Sequence, residues 1–98
     1  MGQYYTKESL RRLRNEILIC DLITRVLDIP SKTREGYLRF LCPICSEFMT
    51  ACHPKTNLAR CFRCERNFNP IDLVMVVKGF CFQEAVHFLL EQEKDFRR

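Results

Sequence analysis

Two Cys-x-x-Cys pairs limit how this chain can fold. They form the pattern C-x2-C-x15-C-x2-C, with Cys42 and Cys45 in the first pair and Cys61 and Cys64 in the second. Pairs at this separation are typical of a zinc site, and sets of four thiolates favour tetrahedral zinc. A zinc ion with four protein ligands is a structural site, because no position is open for water or substrate. We therefore predict one structural Zn²⁺; four ordinary buried thiols are the alternative.

Chain length and cysteine usage indicate a small domain in a reducing compartment. The chain has 98 residues and seven cysteines, an odd number that a full disulfide framework would not use up. A domain of this size buries a limited fraction of its surface, so the free energy of zinc binding would contribute to folding. The polar, basic N-terminus does not resemble a secretory signal, and no apolar run approaches the length of a membrane span. We expect a cytoplasmic protein without membrane association.

Basic charge is concentrated in the region of the cysteine pairs. Residues 32–66 carry seven basic and three acidic side chains, and the rest of the chain carries nine of each, so the net charge of +4 lies in this region. A local basic field favours a polyanionic partner such as nucleic acid. A solvated basic face would give the same pattern.

Hydrophobic periodicity predicts an N-terminal helical segment. Apolar residues recur at helical spacing over residues 7–28 and Pro30 ends the pattern, which fits one long helix or two helices with a bend near Asn15. The following residues, 31–36, are predicted to form a polar loop.

Short strands and two further helices are predicted after this loop. The strands are expected at residues 37–41, 48–53 and 58–60, around the cysteine pairs. Asn69 is suited to cap a helix that begins at Pro70 and ends at Gly79, and a last helix is expected over about residues 82–93. The predicted fold is therefore α+β: a zinc ribbon, which is a small antiparallel β-sheet, flanked by N-terminal and C-terminal helices. We expect one domain over residues 1–98, with helical segment 7–30, ribbon 37–66 and C-terminal helices 70–93.

The remaining cysteines and the two histidines are weaker candidates for chemistry. Cys20 and Cys81 are expected to pack as small hydrophobic residues. Cys52 and His53 lie between the two pairs, and either could replace one of the four cysteines as a ligand. His87 is expected to be structural. A thioredoxin-like redox role would need a βαβ setting, which the sequence does not show.

Aromatic residues alternate with the basic residues of residues 32–66. Proteins that bind single strands combine a basic groove for phosphates with aromatic faces for bases. We expect Tyr37 and Phe48 to be exposed, and Phe40 and Phe62 to lie in the core. The candidate nucleic-acid-binding residues are Lys32, Arg34, Tyr37, Arg39, Phe48, Lys55, Arg60, Arg63 and Arg66. Alternatively, the rings form the core of the ribbon and the arginines offset the charge of the thiolates.

The sequence contains no recognisable catalytic constellation. Three glycines are too few for a glycine-rich phosphate loop, and no carboxylates are grouped as nucleotidyl transfer by metal ions would require. The chain alone is therefore expected not to be catalytic.

Four segments together resemble the N-terminal zinc-binding domain, a CHC2-type zinc finger, of DnaG-type bacterial and phage DNA primases. These segments are CPIC, CFRC, NPIDLVM and GFCFQEAVHFL, and the resemblance extends roughly from Leu10 to Leu90. Cys45 stands where most bacterial members have histidine. Asn67 and Asn69 stand where glycines are common, and asparagine tolerates a left-handed backbone better than most residues.

The resemblance implies a role in primer synthesis during DNA replication. Such a domain helps a primase to recognise its initiation site on single-stranded DNA and to hold the template at the catalytic core. By position, Lys32, Arg34 and Arg39 would contact the template, and Arg60 and Arg63 would extend the same surface. The implied partners are single-stranded DNA and a primase catalytic core or helicase, in cis or in trans. The alternative is a free-standing adaptor that docks a replication or mobile-element protein, with zinc purely structural.

Overall fold

A five-stranded antiparallel sheet in the order β1-β2-β3-β4-β5 forms the middle of the molecule. The computed structural model describes residues 6–53 and 55–96. The strands are β1 (Ser31–Arg34), β2 (Tyr37–Phe40), β3 (Thr50–His53), β4 (Leu58–Cys61) and β5 (Arg66–Phe68). The helices are α1 (Lys7–Glu16), α2 (Ile19–Asp21, continued by a π-helical turn at Leu22–Val26), α3 (Pro70–Lys78) and α4 (Phe82–Phe96). The predicted α+β fold, a small antiparallel sheet flanked by helices, is confirmed.

The N-terminal helical segment is divided in two by a contact from the sheet. α1 ends at Glu16, and Ile17 and Leu18 are extended before α2 begins. Asn57, in the turn between β3 and β4, donates through Nδ2 to the carbonyl oxygens of Arg14 (2.6 Å) and Ile17 (2.7 Å). Its Oδ1 accepts from the backbone N–H of Ile19 at 2.8 Å. One buried side chain therefore caps the end of α1 and the start of α2 together.

The first strand replaces the polar loop that the sequence predicts for residues 31–36. β1 pairs with β2 over its whole length, from Ser31 with Phe40 to Arg34 with Tyr37. Glu35 and Gly36 form the connecting two-residue turn with positive φ values of 54° and 82°, as hairpin turns of type I′ require. The loop prediction was wrong because β1 is an edge strand whose side chains are largely exposed, so it lacks the apolar alternation of a half-buried strand.

One face of the sheet packs on the helices. Phe40, Cys52, Ala59 and Phe68 are almost completely buried and form one cluster with apolar residues of all four helices. α3 and α4 pack against each other, and α1 packs against both. Because strand residues alternate between faces, the neighbouring residues of these four point away from the helices. The second face of the sheet, called the open face below, therefore points away from the helices, and Lys32, Arg34 and Tyr37 on it are exposed.

The capping signals around α3 are present as the sequence indicates. The side chain of Asn69 accepts from the Asp72 amide at 2.8 Å, and Asp72 accepts from the Asn69 amide at 3.2 Å, which forms a capping box. Gly79 ends the helix with a left-handed φ of 69°. Among the described residues, no single helix is long and apolar enough to cross a membrane. Only α3 taken together with Phe82–Gln92 reaches that length and composition, and the two are bent by 112° at the break between them.

Candidate metal centre and nucleic-acid interface

The four cysteines of the two Cys-x-x-Cys pairs meet at one end of the sheet. Their sulfur atoms all lie within 4.8 Å of one another. The Sγ atoms of Cys45 and Cys61 are 3.6 Å apart, and those of Cys42 and Cys64 are 3.9 Å apart. A tetrahedral zinc ion with Zn–S bonds of about 2.3 Å would separate its sulfur ligands by about 3.8 Å. The spacing therefore fits one zinc ion held by four thiolates.

Backbone amides support the sulfurs within each turn. In the first turn, the Ile44 amide donates to Cys42 Sγ at 3.4 Å. In the second turn, the Cys64 amide donates to Cys61 Sγ at 3.3 Å. Hydrogen bonds to the thiolate form stabilise it, and such outer contacts orient metal ligands.

Each turn closes on a residue with left-handed backbone. Ser46 has a φ of 61° directly after the first pair, and Glu65 has a φ of 55° directly after the second. Neither Asn67 nor Asn69 takes this conformation, since neither has a positive φ. Asn69 instead caps α3, so the turn after Cys64 is made by glutamate, a residue that pays a steric penalty there.

The thiols have different affinities for protons. Burial would raise the pKa of Cys61, but the hydrogen bond from the Cys64 amide and the closeness of the Thr50 hydroxyl and of neighbouring thiols lower it to about 6. Burial, reinforced by the neighbouring sulfurs, raises the pKa of Cys64 to about 12. Burial likewise raises the pKa of Cys45. Zinc binds the deprotonated thiolates, so loading of the site releases protons.

Thr50 lies beside this cluster. It pairs directly with Cys61 across β3 and β4, and its side chain is fully buried. Its hydroxyl forms no hydrogen bond with any described residue, yet it is near enough to lower the pKa of Cys61. The hydroxyl is therefore available to the sulfur of a zinc ligand.

The family model of the CHC2 zinc finger, the zinc ribbon of DnaG type, matches residues 5–95. The chain belongs to the CHC2 zinc finger family. The zinc site predicted from the cysteine spacing is confirmed by this match and by the sulfur cluster. No curated protein matches the chain in sequence.

Other sulfur and imidazole groups of this CHC2 zinc finger lie apart from the cluster. Cys52 is buried on the helix-facing side of β3, where burial and then the nearby Cys20 raise its pKa. His53 is exposed, and neither Cys52 nor His53 belongs to the described metal-binding group. Cys20 packs against the core as expected, but Cys81 is exposed, so that expectation was wrong. His87 is also exposed on α4, with Nε2 3.3 Å from a carboxylate oxygen of Glu91.

Strand register brings five of the nine candidate nucleic-acid-binding residues onto the open face. Two cross-strand pairs lie there, Lys32 with Arg39 and Arg34 with Tyr37. The row that contains Arg39 continues through Ala51 and Arg60 to Asn67. The residues that share the face are Lys32, Arg34, Tyr37, Arg39 and Arg60. They form a basic surface that contains an exposed aromatic ring.

The other four candidates are placed differently. Phe48 is 37% exposed, and Lys32 Nζ lies 5.1 Å from the centre of its ring. Lys55 and Arg63 are exposed in the turns after β3 and β4. Because alternate residues of a strand share a face, Arg66 lies on the helix-facing side of β5 with Phe68. Its guanidinium lies 5.6 Å from the ring of Phe68. Arg66 is therefore not on the open face.

Phe62 is the aromatic residue for which the predicted burial was wrong. It was expected in the core, but it is 56% exposed, more than Tyr37 at 47%. Phe62 lies between two zinc ligands, and its backbone N–H donates to the carbonyl oxygen of Met49 at 3.0 Å. The tight turn fixes the sulfurs inward, so the intervening side chain points outward. The only sequence signal for the exposure of Phe62 is its position between the two cysteines of a Cys-x-x-Cys turn.

The arginines of the open face are oriented by neighbouring polar groups. Arg60 Nη1 donates to Asn67 Oδ1 at 3.4 Å. Arg39 Nη2 lies 3.8 Å from a Glu35 carboxylate oxygen, while its Nε is buried without a hydrogen-bond partner among the described residues. Both guanidinium groups keep donors available to an acceptor placed over the sheet.

Proposed function

We propose that this CHC2 zinc finger is a single-stranded DNA-binding module of DNA primase type. It would help to recognise the template for primer synthesis and would not be catalytic by itself. The observation that carries the proposal is the open face, where register aligns Lys32, Arg39 and Arg60 in one row across the sheet. Membership of the DnaG-type family supports the same role.

The chemistry of the open face favours a single strand. Exposed Tyr37 and Phe62 offer ring faces on which unpaired bases can stack, while the adjacent basic side chains can contact phosphates. Paired bases stack on each other and hide these faces, so a duplex would use only the basic groups. The zinc ion would hold the two turns that end β2 and β4, and so would fix the strands that carry these side chains.

The proposal includes a separate catalytic partner. A primase core or helicase, in cis or in trans, would supply the polymerising activity, and the zinc finger would present the template to it. We place this activity in the cytoplasm, where reduced thiolates are available to bind zinc.

Charge removal tests the proposal. The double variant Arg39→Ala with Arg60→Ala is compared with wild type in fluorescence anisotropy with a short single-stranded oligonucleotide, over a range of salt concentrations. Each lost phosphate contact should reduce the salt dependence of log K by about 0.7. Two contacts then correspond to about 25-fold weaker binding at ~0.1 M salt. Zinc content should stay at one ion per chain.

A matched control removes the same charge elsewhere. Lys7→Ala with Arg11→Ala deletes two exposed basic groups on α1, which packs on the opposite side of the sheet with α3 and α4. This variant should bind the oligonucleotide as wild type does. Equal affinity of both double variants would contradict the assignment of DNA binding to the open face.

Exposed apolar side chains favour a second candidate, the protein-docking adaptor. Ile44, Phe48 and Met49 around the first turn are each more than a third exposed. Docking through these residues would be less sensitive to salt than contacts with phosphates. An adaptor would show little salt-dependent affinity for single strands, and the titration described above therefore separates the two candidates.

A further inference from the structure

The open face contains a cavity at the point where β2 and β3 diverge. These strands pair only through Arg39 with Ala51 and Phe40 with Thr50, whereas β3 pairs with β4 as far as His53. Tyr37, at the start of β2, therefore has no partner on β3. A cavity of about 410 Å³ occupies this fork. Ligand sites measure roughly 300 to 1,000 Å³, so the cavity has room for a group of nucleotide size.

A small residue forms the floor of the cavity. Ala51 lies directly between Arg39 and Arg60 in the cross-strand row, and its methyl group leaves space that a larger side chain would fill. Tyr37 and Phe62 also line the cavity, and about half of each side chain is exposed. Two aromatic residues beside a small residue suit a planar guest.

The charged lining is positive. Arg39 and Arg60 are the charged side chains around the cavity, and none of its described lining residues is a carboxylate. Asn67 already accepts a hydrogen bond from Arg60, so it holds that guanidinium beside the cavity. The buried Nε of Arg39 has no partner among the described residues. A planar guest that carries or adjoins negative charge matches this lining.

We propose that the cavity receives one unpaired base of the bound DNA strand. The base would stack against Phe62 and Tyr37, and its flanking phosphates would contact Arg39 and Arg60. This inference rests on the proposed function and adds the position of one nucleotide to it. Stacking on an aromatic side chain is tolerant of sequence and contributes affinity without releasing counterions, so it should not alter the salt dependence of binding.

The test removes one aromatic wall and leaves all charges in place. Phe62→Ala is compared with Phe82→Ala, which deletes another exposed ring, on α4 and outside the cavity lining. Binding of zinc-loaded protein to a short single strand, and to the same strand with abasic sites, is measured over a range of salt concentrations. Phe62→Ala should weaken binding of the normal strand about tenfold with an unchanged salt slope. It should have no further effect on the abasic strand, and Phe82→Ala should match wild type.

A second variant fills the cavity. Ala51→Leu keeps both arginines and both rings, and it should cause a similar loss of affinity at an unchanged salt slope. Zinc content and thermal midpoint verify that each variant is folded. If Ala51→Leu loses zinc, the strand affinity of Phe62→Ala tests the base site by itself.

The outcomes distinguish this inference from the proposed function. Wild-type affinity of Phe62→Ala for the normal strand would overturn the base site, while the arginine variants could still show strand binding. A free deoxynucleoside triphosphate that binds wild type but not Phe62→Ala, with strand binding unchanged, would also overturn it. Absence of salt-dependent strand binding by the wild-type protein would instead refute the proposed function itself.

Discussion

Replacement of Asn57 should destabilise the protein far more than its position in a hairpin turn suggests. Its side chain is only 6% exposed and makes three hydrogen bonds, of 2.6, 2.7 and 2.8 Å, to the junction of α1 and α2. Asn57→Ala removes all three and leaves two carbonyl groups and one N–H without their partner. At about 1 kcal/mol net for each bond, this costs about 3 kcal/mol.

Backbone conformation adds to this cost. Asn57 has a φ of 56°, in the left-handed region that asparagine tolerates and alanine does not. The steric penalty adds about 1 kcal/mol, so the total is about 4 kcal/mol. A domain of this size is stable by roughly 5–15 kcal/mol, so the variant should lose a large part of its stability.

Chemical denaturation of the zinc-loaded protein, followed by circular dichroism, measures this loss. Asn57→Gly serves as the matched control, because glycine removes the hydrogen bonds but accepts the left-handed backbone. It should lose about 1 kcal/mol less than Asn57→Ala. A loss below about 1 kcal/mol for Asn57→Ala would refute the reasoning, since one side chain would then not be holding the helical junction to the sheet.

Three further predictions concern the zinc site. A chelator that removes zinc should unfold the ribbon, because zinc binding contributes folding free energy; native circular dichroism after proven zinc loss would contradict this. Thr50→Val should weaken zinc binding about 10-fold or more in a competition titration, whereas Thr50→Ser should retain affinity, because serine keeps the hydroxyl beside Cys61 and valine lacks it. Glu65→Gly should raise the free energy of unfolding by about 1 kcal/mol through relief of left-handed strain; an unchanged or lower value would count against that strain.

Features governed by local chemistry could be predicted from the sequence. The zinc ligands follow from cysteine spacing, since two residues between cysteines suffice to close a turn around a metal. The bounds of α3 follow from Asn69 and Pro70 at its start and Gly79 at its end, because each of these residues acts on the helical turn next to it. The fold class follows because helical periodicity is strong on both sides of the cysteines.

Features that depend on distant contacts, or on the direction in which a side chain points, could not be predicted from the sequence. The sequence allowed either one long helix or two helices with a bend near Asn15. The choice between them depends on Asn57, which is about 40 residues away and bonds to the junction at Ile17. β1 was missed because an exposed edge strand carries no apolar alternation. The exposure of Phe62 depends on the orientation of the turn around the metal, which residue type does not reveal.

Backbone amide chemical-shift mapping would test the central claim most directly. A short single-stranded oligonucleotide is titrated into uniformly labelled, zinc-loaded protein. The account predicts that the largest shifts fall on the open face, at Arg39, Ala51 and Arg60, and that α1 and α4 change little. Shifts concentrated at Ile44 and Met49 or on the helices, or no shifts at low salt, would contradict a template-binding role for the open face.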